Sequence, residues 1–131
     1  EALAAGQAGD IGGYRAAVSK TGDGRVLSWM PLWEELIRDL KDGMETGLVA
    51  AKFHLGLAAA LADSAAAVAR EAGSTRVALS GGVMQNRLLL EALHRQLTAR
   101  DFEVLVQSRV PANDGGLSLG QAAVAAFMGR P

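Results

Sequence analysis

"RVALSGGVMQNRLLLEALHRQLTARDFEVLVQ", residues 76–107, decides how this chain is built. Residues 76–80 form a short apolar run that reads as a buried strand. The stretch from about Asn86 to Ala99 places Leu89, Leu93 and Leu97 at helical spacing. Residues 102–107 then alternate Phe102, Val104 and Val106, the period of a second strand. Strand, helix and strand in that order make a βαβ unit, so the strands are expected to be parallel with a right-handed crossover.

The pattern extends outward in both directions. Downstream, "PANDGGLSLGQA" (111–122) repeats the strand–Gly-Gly–helix arrangement and leads into a last helix from about Gly115 to Met128. Upstream, a long helix from near Glu45 to about Glu71 carries Val49, Phe53, Leu57, Leu61, Ala65 and Val68 as its expected buried stripe, and Gly73 ends it. Pro31 suits the first turn of an earlier helix, in which Trp33, Leu36, Ile37 and Leu40 recur up to Gly43. Apolar runs on either side of Thr21-Gly22-Asp23-Gly24 predict a β-hairpin. Residues 1–12 are Ala/Gly-rich without a period and read as a frayed lead-in. The expected fold is α/β: one domain over 1–131, with a mixed sheet of hairpin and parallel pair covered by helices.

The 131 residues suffice for one core. Half are hydrophobic, 21% are charged and the formal net charge is −1. That balance gives no electrostatic reason to bind nucleic acid or an acidic membrane. No apolar stretch reads as approaching the ~20 residues a spanning helix needs, and no signal peptide opens the chain. With no cysteine, disulfide and thiolate chemistry are excluded from these residues, which suits a cytoplasmic setting. The abrupt "EALAAGQAGD" start and "MGRP" finish suggest a piece of a longer protein.

Two glycine turns carry the functional signal. In open α/β sheets ligands sit beyond the carboxyl ends of the strands, where Ser80-Gly81-Gly82 falls. Bare backbone permits positive φ and close approach, and a helix N-terminus attracts anions. Asn86 has both donor and acceptor for a base or sugar, and the alternative is a tight turn with Ser80 or Asn86 as a cap. Neither GxGxxG nor a P-loop is present. At the second turn Asp114 reads first as an N-cap, with a second role as a hard metal ligand near a phosphate. Gly116 and Gly120, a turn apart, read as sites of close packing. The two turns follow consecutive parallel strands and are expected side by side.

His54 reads as a hydrogen-bonded structural histidine and His94 as a solvated one, for neither belongs to a metal-binding pair. Trp29, Met30, Trp33 and Met44 read as core or domain-interface residues. No Ser/His/Asp arrangement is legible, so the catalytic residues stay unassigned.

"GLVAAKFHLGLAAALAD", "VALSGGVMQNRLLL" and "VPANDGGLSLGQAAVAA" together resemble the C-terminal part of the HypF family, the carbamoyltransferases that mature [NiFe] hydrogenases. "WMPLWEELIRDLKDGM" also fits that family, and the likeness spans roughly residues 26–127. The resemblance implies one lobe of a Kae1-like domain with the actin/sugar-kinase/Hsp70 ATPase fold. It implies that carbamoyl phosphate and ATP yield a carbamoyl-adenylate in a YrdC-like domain elsewhere. The Kae1-like domain would pass the carbamoyl group to the C-terminal cysteine of HypE. Carried over by motif, Gly81, Gly82 and Asn86 contact the adenylate, beside Ser80, Gly115 and Gly116, and Asp114 is one ligand of a divalent metal (Fe or Zn, or Mg with nucleotide).

The family's metal-binding histidine pair and its YrdC-like, acylphosphatase and zinc-finger regions are not in these residues, and Met84 stands where Phe is expected. The piece alone is therefore expected to complete no transfer, to bind nucleotide weakly, and to rely on the missing N-terminal domains or on homodimerisation to cover its apolar face. The alternatives are a tRNA threonylcarbamoyl- or O-carbamoyl-transferase of the same fold, or a non-catalytic nucleotide-binding or scaffold lobe.

Overall fold

A computed structural model describes residues 11–22 and 24–129. Its elements run β1 (Ala17–Thr21), β2 (Gly24–Ser28), α1 (Met30–Lys41), α2 (Thr46–Glu71), β3 (Arg76–Leu79), α3 (Arg87–Thr98), β4 (Glu103–Val106) and α4 (Leu117–Met128). The expected order and types hold. Most of the 1–12 lead-in lies outside the described residues, as does Asp23 of the hairpin turn.

The expected single mixed sheet is corrected. β1 and β2 pair antiparallel, β3 and β4 pair parallel, and the two pairs form separate two-stranded sheets. The hairpin is exposed along β1 and the first three residues of β2, with Leu27 and Ser28 half-buried, and is tied to the end of α2 by an Arg25–Glu71 ion pair. The parallel pair is covered on one face only. Val77, Leu79 and Val104 point into the core, whereas Arg76, Ala78, Glu103 and Leu105 are exposed. β3 is thus not the fully buried strand its apolar run predicted, and Val106 is exposed too.

The main core is a seam between α2 and α3. Leu89, Leu93 and Leu97 fall on one face of α3 and are completely enclosed, as their spacing predicted. They meet Ala58, Ala62, Ala66 and Ala69 of α2, with Leu79 and Phe102 closing the cluster. The expected α2 stripe is corrected here, since Val68 is exposed and Leu57, Leu61 and Ala65 only flank the seam. One residue is about 100° of helix rotation, so Leu57, Leu61 and Ala65 lie to the side of the face that Ala58, Ala62 and Ala66 turn to α3. Val49 and Phe53 face a second cluster with Tyr14, Leu32, Leu36, Trp29 and Met44. Trp29 and Met44 are half-buried and pack against this second cluster, while Met30 and Trp33 are exposed.

α2 also corrects the expectation about spanning length. It has 26 residues, and an 18-residue stretch within it reaches a mean hydropathy of 1.3, long and apolar enough to cross a membrane by length and composition. Here its alanine face is packed against the α3 leucines, the position of a core helix. The chain before the hairpin crosses α2 at Gly56, where Tyr14 N–H donates to the Lys52 carbonyl at 3.2 Å.

Candidate functional site

β3 ends at Leu79, and the chain turns through Ser80 and Gly81 into a short 3-10 turn, Gly82–Gln85. Gly81 has φ 103° and ψ 159°, a conformation L side chains rarely adopt, and a Cβ there would meet only open space. Glycine is needed for the backbone path, and it leaves that path accessible. The amide of Met84 donates to the Gly81 carbonyl at 3.0 Å, and that of Asn86 to the Val83 carbonyl at 3.0 Å.

The second turn begins beyond β4. Asn113, rather than Asp114, caps it: Asn113 Oδ1 accepts from the Gly115 amide at 3.0 Å. This corrects the N-cap reading of Asp114, which occupies the first position of the 3-10 turn 114–116 and is exposed. A Cβ on Gly116 would lie 2.8 Å from the Pro111 carbonyl oxygen, so its bareness serves close packing. One on Gly115 would lie 3.1 Å from Asn113 Oδ1. Gly120 packs against nothing, contrary to expectation, and faces a cleft.

The two turns lie side by side. Gly81 N–H donates to the Ala112 carbonyl at 2.8 Å, and the Cβ position of Gly82 comes within 4.0 Å of Asn113 Cβ. They share a cleft of about 710 Å³ at the carboxyl ends of the parallel strands. Ser80, Gly81, Gln107, Asn113, Asp114 and Gly116 form one side, and Leu117, Gly120, Gln121, Val124 and Met128 of α4 the other. Gln107 Nε2 donates to Ser80 Oγ at 3.4 Å. Of the residues expected at the site, Gly82, Asn86 and Gly115 are exposed and do not line it.

Asn86 is engaged on both sides of its amide. Its Oδ1 accepts from the Leu89 amide at 3.1 Å, capping α3, and its Nδ2 lies 2.9 Å from His54 Nε2. His54 Nδ1 in turn sits 2.8 Å from the Ala50 carbonyl oxygen. His54 is thus the hydrogen-bonded histidine that was expected, and His94 is exposed.

Among the described residues no group of three or more His, Asp or Glu is placed to hold a metal ion. Zinc takes about four ligands and a hard divalent cation about six or more, so the side chains among the described residues do not by themselves complete a metal site. Sequence reasoning missed Gln107, Asn113, Gly120 and Gln121 as cleft residues. Gln107 and Asn113 carried a usable signal, since both follow the carboxyl end of β4, where ligands gather.

Residues 1–121 match the family described as "Carbamoyltransferase, Kae1-like Domain, second subdomain". The chain belongs to the HypF carbamoyltransferase family. Carbamoyltransferase HypF of Rhizobium leguminosarum bv. viciae is 43% identical over 115 residues, 87% of this chain and 14% of that protein. Carbamoyltransferase HypF2 of Cupriavidus necator is 37% identical over 102 residues, 78% of this chain and 12% of that protein. The chain therefore spans only a small part of these HypF relatives. A crystal structure of full-length HypF in its phosphate- and nucleotide-bound form aligns with TM-score 0.85 at 36% identity, over 91% of this chain and 16% of that one. T. kodakarensis HypF aligns with TM-score 0.76 at 28% identity, over 93% of this chain and 15% of that one.

Proposed function

We propose that this chain is one lobe of an actin/sugar-kinase/Hsp70-like, Kae1-like domain in a cytoplasmic, ATP-dependent carbamoyltransferase. In this reading the parent protein makes carbamoyl-adenylate from carbamoyl phosphate and ATP. It transfers the carbamoyl group to the C-terminal cysteine of HypE, a step toward the cyanide ligand of [NiFe] hydrogenase. The cysteine thiol gives up its proton to solvent, a new C–S bond forms at the carbamoyl carbon, and AMP leaves with the electron pair of the broken C–O bond. The observation that carries the reading is the Gly81–Ala112 hydrogen bond, which ties both glycine turns to one cleft.

The cleft suits an activated nucleoside. Ser80, Gly81 and Gly116 offer polar or bare backbone to the phosphate end, with Gly82, Gly115 and Asn86 in the same two turns. Leu117, Val124 and Met128 offer an apolar wall to a ring. The N-terminal end of α4 opens on the same space, where the helix dipole favours an anion. Asp114 opposes that anion unless a cation lies between them. It would be one ligand of a divalent ion only with others supplied from outside these residues. The exposed Leu119, Val124 and Phe127 of α4 support cover by the parent's remaining domains or by a second copy.

Calorimetry with ATP on the full-length parent tests the site. Gly82→Arg is expected to weaken binding at least about tenfold, because its long side chain starts 4.0 Å from Asn113 Cβ, where the turns meet, and can fall across the mouth of the cleft. Asp114→Ala is expected to weaken binding with a divalent ion present and to strengthen it under chelation, where only the like-charge repulsion is removed. Unchanged binding in both variants overturns the assignment. Carbamoylation of a HypE-tail peptide by the parent separates this reading from transfer to tRNA or to a hydroxyl.

A further inference from the structure

We infer that His54 is a positioning residue for the glycine turn at residues 80–86, acting through the side chain of Asn86. The partners fix every proton in the link. The Leu89 amide only donates, so the Asn86 oxygen faces it at 3.1 Å and the Asn86 nitrogen faces the other way. That nitrogen only donates, so His54 Nε2, 2.9 Å away, is the acceptor. The Ala50 carbonyl only accepts, so the proton of the neutral ring sits on Nδ1, 2.8 Å from it. A continuous chain of hydrogen bonds therefore runs from the α2 backbone, through the ring and the amide, to the first turn of α3. Phe53 stands edge-on to the ring, centroids 5.8 Å apart, and helps to hold its plane.

The effect on the site is geometric. The 3-10 turn 82–85 is pinned at its start by the Gly81–Ala112 bond and ends at Asn86. An asparagine with only a capping bond can still swing its amide, whereas one held on both sides cannot. His54 thus converts a cap into a fixed end-point, and the turn between two fixed points has one path. Its consequence for nucleotide binding rests on the function proposed above, but the effect on the turn does not.

The test is hydrogen exchange by mass spectrometry on full-length parent protein without nucleotide, read over residues 81–90, beside ATP affinity and the melting temperature. Asn86→Ser keeps a capping oxygen and loses the link. His54→Asn and His54→Ala lose the acceptor at the Nε2 position, while His54→Gln places an amide oxygen near it. Losing one hydrogen bond of ordinary strength is expected to speed exchange about fivefold in the Ser, Asn and Ala variants, with Gln close to wild type. ATP affinity should fall in the same order. Unchanged exchange in Asn86→Ser and His54→Asn overturns the inference, and so does an equal rise in all four variants, which marks lost packing alone. Ordered exchange in a protein that binds no ATP sinks the proposed function and leaves the positioning role standing. Normal ATP binding with flat exchange does the reverse.

Discussion

A methyl group added at Gly56 should destabilise the fold by about 2 kcal/mol, although the same change favours an isolated helix. Gly56 is mid-way along α2, where Gly→Ala is worth up to about 1 kcal/mol in propensity. A Cβ there would lie 2.2 Å from the Tyr14 carbonyl oxygen, 2.7 Å from its nitrogen and 2.9 Å from its carbonyl carbon. All three are backbone, so no side chain can rotate away. The crossing segment must lift, and Gly13 opposite is just as close, its own Cβ position 2.2 Å from Gly56 N. Overpacking of this kind costs about 1–3 kcal/mol, and the lost Tyr14–Lys52 backbone bond adds about 1 kcal/mol. After the propensity gain, about 2 kcal/mol of destabilisation remains. At roughly 4 °C per kcal/mol for a domain this size, Gly56→Ala should melt about 8 °C below wild type by far-ultraviolet circular dichroism.

Gly120→Ala is the matched control. It sits in helix α4 with nothing within 4 Å of its Cβ position. Because α4 contains no buried residue, the gain should appear as slower amide exchange in α4, about three- to fivefold, rather than as a higher global melting point. If Gly56→Ala melts at or above wild type, the close crossing of residues 13–14 over α2 is wrong.

Leu93→Ala should cost about 3 kcal/mol in urea unfolding, since the side chain is enclosed by the α2 alanines, whereas Val68→Ala should stay within about 0.5 kcal/mol. Tyr14 is the chain's one tyrosine, and its hydroxyl is pushed from 10.0 to about 12 by burial first, then by its hydrogen bond to Asp39 and the charges of Asp39 and Glu35. A raised tyrosine pKa means the neutral phenol is favoured on folding. Its contribution is complete below pH 10 and lost as pH rises toward 12, which tyrosinate absorbance will show as a midpoint well above the free value. At the acid end, the Lys52 hydrogen bond and then the Tyr14 hydroxyl hold Asp39 below the ordinary carboxylate range, and Arg15 does the same for Glu35. That stability is present above the unfolded carboxylate values and lost as pH falls through the depressed folded ones. Lys52→Gln should therefore flatten the acid limb of a urea-midpoint profile; an unchanged slope would remove Asp39 as its source.

The βαβ unit was legible because its signals agree. Leucines at 89, 93 and 97 share one face whatever packs against it, and a strand on each side forces a parallel crossover. The adjacency of the glycine turns followed from that topology alone. The buried face of α2 was not legible, since alanine gives no hydropathy contrast between one side of a helix and another. Nor was the division into two sheets, because a hairpin's own register is satisfied with or without a third strand. Gly56 looked like one small residue among many, and only the crossing at Tyr14 gives it a reason. At the second turn, Asn113 and Asp114 are both good caps by residue type, and the choice rests on backbone geometry one residue apart.

The site and the core are parts of one construction. His54, Ala58, Ala62 and Ala66 follow one another at four-residue steps along α2, and Leu89, Leu93 and Leu97 of α3, with Asn86 at its N-cap, lie on the facing side. Through most of that seam alanine methyls of α2 and leucines of α3 share one core, and small side chains allow two helices to approach closely. At its last step a polar pair replaces the apolar ones, at the point where the 3-10 turn enters α3. A hydrogen bond tolerates only a few tenths of an ångström, so the spacing that alanine allows is also what lets the His54 ring reach Asn86. Larger residues on α2 would deepen the core and lengthen that contact. The small side chains along α2 therefore serve the geometry of the cleft as much as the stability of the fold.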